Sequence, residues 1–388
     1  MAALTGLRIL DMTQYEAGTS CTQALAWLGA DVVKIESPQR GDPGRGSTGS
    51  SEYFVLWNSN KRSVALDLKT PTGREILLDL VRNFDVFVEN YGPGVVEKLH
   101  IDYETLRAVK PDLIYARVKG FGLSGPWSQY KCYDMVAQAV AGAFSITGES
   151  DGPPMRPGPT TGDAGTGVQM ALAIAAAYIQ KLKTGEGQFI EISMQEAMTY
   201  YLRTSMSGGQ FGNQAARRTG NGRWAGSTLY RCKGDDPNDY IWVMAVTPKM
   251  YRALCTAIER SDLLSDNYLS ENRHLVKHEV EKWTVQRDKY EAMECLAQAG
   301  VPAGAVLSTK ELHENPHLLS RGFVQEVEHP VHGTIKLLGL PAKLSASEVP
   351  LKPAPLLGAH TARVLQEELS LTDSQLEKLV ADGVVGTL

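Results

Sequence analysis

The stretch best equipped for chemistry is Gly158-Pro-Thr-Thr-Gly-Asp-Ala-Gly-Thr-Gly167. It sets one carboxylate, Asp163, among glycines 158, 162, 165 and 167, directly ahead of a run from Val168 to Leu182 made almost wholly of Ala, Leu, Ile, Val, Met and Tyr. A run without a polar face predicts a buried helix. Lys183-Thr-Gly-Glu-Gly187 ends it, and Phe189-Ile-Glu-Ile-Ser193 reads as a strand. Asp163 therefore stands where a glycine-rich loop enters the N-terminus of a central helix. One reading is an N-cap that accepts a bond from an early helix N–H. The other is a carboxylate nucleophile, with glycines that let a bulky substrate come close to the backbone. The residues alone leave both open.

Other nucleophile and base patterns are incomplete. His100 is the only histidine before residue 270, so a Ser-His-Asp triad would need its base from the far half of the chain. Gly122-Leu-Ser-Gly125 is followed by Pro126 and is not a nucleophile elbow. His274 and His278 are four apart but enclose Leu-Val-Lys, without the glutamate of a zinc-protease helix, so an exposed helix face accounts for them. Arg40, Lys61, Arg62, Lys69, Lys98 and Lys131 recur at the ends of expected loops and strands. Singly each reads as a solvated charge; together they could serve a phosphate-bearing ligand at a sheet edge.

The positioning elements read as a parallel α/β sheet. Leu7 to Asp11 is a strand, Thr19 to Gly29 a helix and Ala30 to Glu36 a second strand, a βαβ opening. The intervening turn, Asp11-Met-Thr-Gln-Tyr-Glu-Ala-Gly-Thr19, has a single glycine, which excludes the dinucleotide fingerprint. Asp85-Val-Phe-Val-Glu89 and Leu113-Ile-Tyr-Ala-Arg-Val118 are further strands, followed by the turns Asn90-Tyr-Gly-Pro-Gly94 and Gly120-Phe-Gly-Leu-Ser-Gly-Pro126. Such turns lie at the carboxyl edge of the sheet, where α/β folds bind ligands. The rhythm breaks between residues 205 and 227, rich in Gly, Arg, Asn and Ser, which reads as a linker or ordered loop. The expected division is residues 1–200 as the N-terminal part of a large domain, 201–227 as linker, 228–318 as a small domain, and 319–388 returning to the large one.

Composition narrows the class. The chain has 388 residues, 43% hydrophobic and 21% charged, as a soluble globular enzyme has. A net charge of −5 gives no general affinity for nucleic acid. Five scattered cysteines without a CxxC pair suggest reduced thiols in the cytoplasm and no zinc site. No signal peptide is apparent, and no apolar run is long enough to span a membrane.

Ordered along the chain are Leu4-Thr-Gly-Leu-Arg-Ile-Leu-Asp11, Leu28-Gly-Ala-Asp-Val-Val-Lys-Ile-Glu36, Asn60-Lys-Arg-Ser63, Leu66-Asp-Leu-Lys-Thr-Pro71, Val88-Glu-Asn-Tyr-Gly-Pro-Gly94, Gly120-Phe-Gly-Leu-Ser-Gly-Pro126, Gly162-Asp163 and Pro355-Leu-Leu-Gly-Ala-His-Thr361. Each piece is weak, but the ordered set resembles the class III coenzyme A transferases, the family of formyl-CoA:oxalate and carnitine CoA-transferases. The resemblance implies a doubly wound, Rossmann-like large domain, a smaller α/β domain and an intertwined homodimer. It implies transfer of CoA from an acyl-CoA to a small carboxylic acid, with a dicarboxylate expected, through anhydride and thioester intermediates on Asp163. CoA is then a co-substrate, with no tightly bound cofactor and no metal. The implied CoA contacts are Glu16, Ala17, Leu66, Asp67, Leu68, Lys69, Asn90, Tyr91, Gly92, Lys98, Lys131, Cys132, Tyr133 and Asp134, with Arg40 a looser match.

Three places depart from the family pattern. Glu16 stands where the formyl-CoA enzymes have Gln, close to the reacting carbonyls, and an ionised carboxylate there offers no donor. The glycine-rich active-site loop is shortened or replaced at Gly220-Asn-Gly-Arg-Trp-Ala-Gly226, and Ala359 stands where Glu is common. The superfamily also contains α-methylacyl-CoA racemases, which need a His-Asp acid–base pair. Tyr133 occupies the histidine's place, and its ordinary pKa near 10 makes it a poor base, so that activity ranks second. Acyl-CoA binding without catalysis ranks third.

Overall fold

Short strands that are apolar on both faces belong in a parallel sheet covered on both sides. The computed structural model, which describes residues 1–224, 226–264 and 273–387, contains such a sheet. Its parallel strands are β1 (Arg8–Asp11), β2 (Asp31–Glu36), β3 (Arg62–Leu66), β4 (Val86–Glu89), β5 (Ile114–Lys119) and β6 (Phe189–Ser193). They lie in the order β3-β2-β1-β4-β5-β6. The C-terminal residues Val385–Gly386 add antiparallel to β3. Strand order reverses between β1 and β4, so the loops leaving their carboxyl ends, after Asp11 and after Glu89, diverge around a crevice.

Alternate residues feed two cores. Leu10, Val33, Val64, Phe87 and Tyr115 pack with Leu77, Leu80, Val364 and Leu365. Ile9, Val32, Val86, Ile114 and Ala116 pack with Leu25, Met170 and Ile174. The C-terminal motif is tied to β3, since Gly358 N–H donates to Ser63 Oγ at 2.9 Å and Ala65 N–H to Thr361 Oγ1 at 3.0 Å.

Buried ion pairs occupy the carboxyl side of the sheet. Lys61 Nζ lies 3.0 Å from Asp11 Oδ2, Lys34 Nζ 2.9 Å from Asp42 Oδ2, and Arg45 pairs with Glu36 at 2.6 Å. Glu89 meets both Arg117 and Lys119. Despite burial, which alone would raise it, the Asp11 carboxyl is held down to about 2 by Lys61, Lys34 and two threonine hydroxyls. Two of the basic residues grouped above as phosphate partners are thereby reassigned: Lys61 is a buried partner of Asp11, and Arg62 pairs with Asp31. A buried lysine without such a carboxylate would lose its charge.

The chain divides into two compact units. The first comprises Met1–Ala143, Arg156–Asn213 and Ser320–Leu388 and holds the large sheet. The second comprises Phe144–Met155 and Gln214–Leu319. It contains an antiparallel sheet of β7 (Gly222–Trp224), β8 (Ser227–Arg231), β9 (Tyr240–Met244) and β10 (Ala303–Ala305), over a core that includes Tyr230, Ile241, Leu254, Val280 and Leu296. Residues 144–155 join this unit because Arg218 and Gly220 bind their carbonyls, at Gly152 and Gly148. The segment read as a linker also carries a helix, Arg203–Gly208, and β7, which pairs with β8. Glycines obscure that strand in the sequence because they carry no alternating side chains. Ala225, within the altered glycine segment, lies outside the described residues.

The Ala164–Thr184 helix corrects an expectation. The apolar run predicts a helix buried all round. In the single chain Val168, Leu172, Ile179 and Leu182 are 54–72% exposed. Its opposite face packs on the Ala17–Trp27 helix, with Met170, Ala171 and Ile174 in one core with Ala17, Cys21 and Leu25. A Cβ at Gly167 would lie 2.0 Å from Ser20 Oγ and 2.6 Å from the Ala17 carbonyl, so the two backbones touch there. Gly167→Ala must force the helices apart. It should lower stability by about 1–3 kcal/mol in urea unfolding, and an unchanged midpoint would show that this contact is not needed.

Candidate active site

Two helix starts meet at the carboxyl side of the sheet. Glu16 immediately precedes the Ala17–Trp27 helix and Asp163 the Ala164–Thr184 helix. Glu16 is placed by a loop with little freedom. Asp11 Oδ1 accepts from Thr13 N–H at 2.8 Å, and Asn90 exchanges two bonds with the Gln14 backbone, at 2.7 and 2.8 Å. Tyr15 takes a left-handed backbone, φ 57°, and donates its N–H to Asp42 at 3.1 Å. Asp163 is placed from the other side. Its N–H donates to Asp134 Oδ1 at 3.0 Å, while Gln138 holds Asp134 Oδ2 at 2.8 Å and the Pro159 carbonyl at 3.0 Å.

The glycines around Asp163 serve packing. A Cβ at Gly162 would meet the Asp134 carbonyl at 2.7 Å, one at Gly165 the Tyr201 ring at 2.8 Å, and one at Gly167 the neighbouring helix. Gly158 alone of the four has open space beside it. The reading that all four admit substrate is therefore corrected. The N-cap reading fails as well: Asp163 has helical backbone angles and its side chain makes no cap bond.

The carboxyl groups of Glu16, Asp134 and Asp163 form a cluster. Burial first, then Glu16 and Asp134, pushes Asp163 up to about 7. Glu16, 3% exposed, is raised by burial and by Asp134 against hydrogen bonds from the Thr160 and Tyr53 hydroxyls, the latter at 3.4 Å. Burial, Asp163 and Asp134 push the Cys132 thiol up to about 11, which keeps it protonated at neutral pH.

A cleft of about 250 Å³ opens onto Asp163. Of the residues expected from the sequence, Ala17, Asn90, Tyr91, Gly92, Lys131, Cys132 and Tyr133 line it with Asp163. A second pocket of about 350 Å³ gathers Leu66, Asp67, Leu68, Lys69 and Lys98, and Tyr91 lines both. Glu16 and Asp134 line neither; they are buried beside Asp163. Arg40 is exposed and also lines neither, in a turn that begins at Ser37 on the second pocket. Asn90 spends its side-chain amide on Gln14, so it shapes the cleft from within.

Several neighbours escaped the sequence reading: Gln14, Tyr15, Lys119, Ser128 and Tyr130 in the cleft, and Tyr53 and Thr160 on Glu16. Tyr53 lies beyond a Gly/Pro/Ser-rich loop with no periodic signal. Gly120 had a legible signal, since it opens a glycine-rich turn after β5. A Cβ there would lie 2.1 Å from Cys132 Cβ, so glycine is needed to seat the 131–133 loop. Among the described residues no group of His, Cys, Asp and Glu could hold a metal, and no helix is long and apolar enough to cross a membrane.

Comparison with known proteins finds the model of CoA-transferase family III matching residues 4–361. A formyl-CoA:oxalate CoA-transferase of Rhodopseudomonas palustris is 38% identical over 415 residues, covering 99% of this chain and 97% of that one. One of Streptomyces avermitilis is 39% identical over 410 residues, covering 99% of each. The crystal structure of a CAIB/BAIF family protein from Brucella suis superposes with a TM-score of 0.83 at 28% identity, over 95% of this chain and 99% of that one.

The Asp163 titration has a measurable consequence. Its folded value, about 7, lies above the ordinary 3.8. The stability that the protonated form contributes is complete below about pH 4 and is lost as pH rises through about 7. Asp163→Asn should match wild type at the acid end. It should become more stable as pH rises, by up to roughly 4 kcal/mol above about pH 7. Urea unfolding across this range checks it; a gap that does not change with pH would contradict a raised carboxyl.

Proposed function

The chain belongs to CoA-transferase family III and is an enzyme, and from that premise we propose that it moves CoA from an acyl-CoA to a small carboxylic acid, with Asp163 as the covalent carrier. The observation that carries this reading is a carboxylate of near-neutral pKa facing a cleft, with a second pocket bearing Lys69 and Lys98 beyond Tyr91. The thioester end of CoA would lie in the first, and the charged nucleotide end in the second, where lysines suit phosphate.

The steps balance through Asp163. Its carboxylate attacks the thioester carbonyl, giving an acyl–aspartyl anhydride and CoA thiolate. The thiolate attacks the aspartyl carbonyl and expels the donor's carboxylate, leaving an aspartyl-CoA thioester. The acceptor carboxylate displaces the thiolate to form a second anhydride. The thiolate then takes the new acyl group and frees Asp163. Each exchange avoids a direct displacement between two unactivated partners. Burial supports the chemistry, because a poorly solvated carboxylate reacts without first shedding water. We read the acceptor as a small acid, a dicarboxylate such as the oxalate in the relatives' names. Tyr133 is exposed at the cleft and packs edge-on to Tyr15, and among the described residues no histidine lines the cleft to form the acid–base pair of racemisation.

The strand order fits a doubly wound domain. The exposed stripe of Val168, Leu172, Ile179 and Leu182 supports a homodimer, since a face of that kind is covered in stable proteins. Five unpaired thiols fit a cytoplasmic setting.

Purified protein incubated with formyl-, acetyl- or succinyl-CoA and a panel of small acids should yield a new acyl-CoA by mass spectrometry. Asp163→Ala should abolish it, by at least roughly a thousandfold, while CoA still binds; retained turnover would remove Asp163 from the role. Light scattering should give twice the chain mass, and Leu172→Glu should shift it toward the monomer. A wild-type monomer would overturn the dimer.

A further inference from the structure

Two tyrosines flank the Asp163 carboxyl, and chain continuity puts them there. Tyr15 immediately precedes Glu16 and Tyr133 immediately precedes Asp134, and these are the two acids whose charge acts on Asp163. Consecutive Cα atoms are about 3.8 Å apart, so each tyrosine starts one residue from that cluster. Both line the cleft that opens onto Asp163. Their ring centroids are 6.2 Å apart and their planes meet at 86°, an edge-to-face contact between two separate loops. The cleft holds about 250 Å³, and an acid that exchanges at Asp163 must share it with the thioester end of CoA. Space taken by the two rings is therefore withheld from the acid.

Tyr15 is held in place by a residue that lines neither the cleft nor the second pocket. Its backbone is left-handed, φ 57°, a conformation uncommon for a bulky side chain that persists only where the surroundings impose it. Asp42 imposes it. Its Oδ1 accepts from Tyr15 N–H at 3.1 Å and from Gly44 N–H at 2.8 Å. Its Oδ2 lies 2.9 Å from Lys34 Nζ, which also donates to the Thr13 carbonyl at 2.6 Å. Its own N–H donates to Glu36 at 3.0 Å, and Glu36 is paired with Arg45. Asp42 and Lys34 are buried, so this anchor cannot shift to follow the ring. Core packing does not account for the arrangement, because both rings are exposed in the single chain and belong to neither core of the large sheet.

Resting on the transfer reading, we propose that the Tyr15–Tyr133 contact is the wall that limits the size of the acid exchanged at Asp163, with Asp42 as the positioning residue that fixes Tyr15. A fixed wall discriminates where a loose one yields. One methylene that a rigid pocket cannot house is worth roughly tenfold or more in kcat/KM.

The test reads a preference between acids, which does not depend on how much of a variant is folded. With the acyl-CoA that turns over in the screen, kcat/KM is measured for oxalate, malonate, succinate and glutarate. In wild type it should fall by at least about tenfold from the shorter to the longer acids. Tyr15→Asn tolerates the left-handed backbone but lacks the ring, and it should restore the longer acids by about tenfold relative to the shorter ones. Tyr15→Phe keeps the ring and should keep the wild-type preference. Asp42→Asn keeps the side-chain volume but has one acceptor oxygen where the carboxylate uses two. The Lys34 ammonium takes that oxygen, and the amide NH2 is left facing the Tyr15 N–H. Asp42→Asn should therefore shift the preference in the same direction as Tyr15→Asn and add nothing in the double variant. A wild type that takes glutarate as well as oxalate, or an unchanged preference in Tyr15→Asn, would overturn the wall. An Asp42→Asn variant that keeps the wild-type preference, or loses the same factor for every acid, would overturn the positioning role. Either result leaves transfer intact. Absence of transfer with every acid would overturn the transfer reading, and the wall with it.

Discussion

The contact at Gly167 is the constraint on which the site depends. Two helices from distant parts of the chain touch backbone to backbone there, because a side chain would fall inside Ser20 and the Ala17 carbonyl. Each helix begins one residue after an acid. Their close packing brings Glu16 and Asp163 together, and the bonded loop before Glu16 and the Asp134 and Gln138 bonds beside Asp163 hold each acid in place. Gly162 and Gly165 extend the same principle, admitting the Asp134 backbone and the Tyr201 ring.

Electrostatics then divides the carboxyl side of the sheet in two. Asp11, Glu36, Asp42 and Glu89 are buried but each has a basic partner, so they hold strands and loops in register as ions. Glu16, Asp134 and Asp163 are gathered without one. Burial disfavours a charged carboxyl and the neighbouring acids add to it, so Asp163 is pushed up to about 7. The paired charges give a rigid frame, and of the unpaired ones Asp163 faces the cleft with its carboxyl raised.

Much of this was legible in the chain. Strands of four to six apolar residues separated by helical runs gave a parallel sheet, and the turns after β4 and β5 marked the edge on which the cleft opens. Asp163 was conspicuous because glycines crowd around it. The readings that failed share a cause. Lys61 and Arg62 looked like surface cations because a sequence does not display the aspartates, some fifty and thirty positions away, that bind them. The Val168 to Leu182 helix looked buried because apolar composition alone does not show which of its faces the rest of the chain covers, and Val168, Leu172, Ile179 and Leu182 stay exposed.

The sequence by itself determined the family, the sheet and the place of Asp163 at the start of a long helix, since these rest on local pattern and on ordered motifs. Only the tertiary structure decided what each glycine faces, which cations are already paired, and that Tyr53 and Thr160 sit on Glu16. Those facts depend on contacts between residues 37 and 144 positions apart in the chain. No local propensity encodes such distances; close packing of side chains and backbone does.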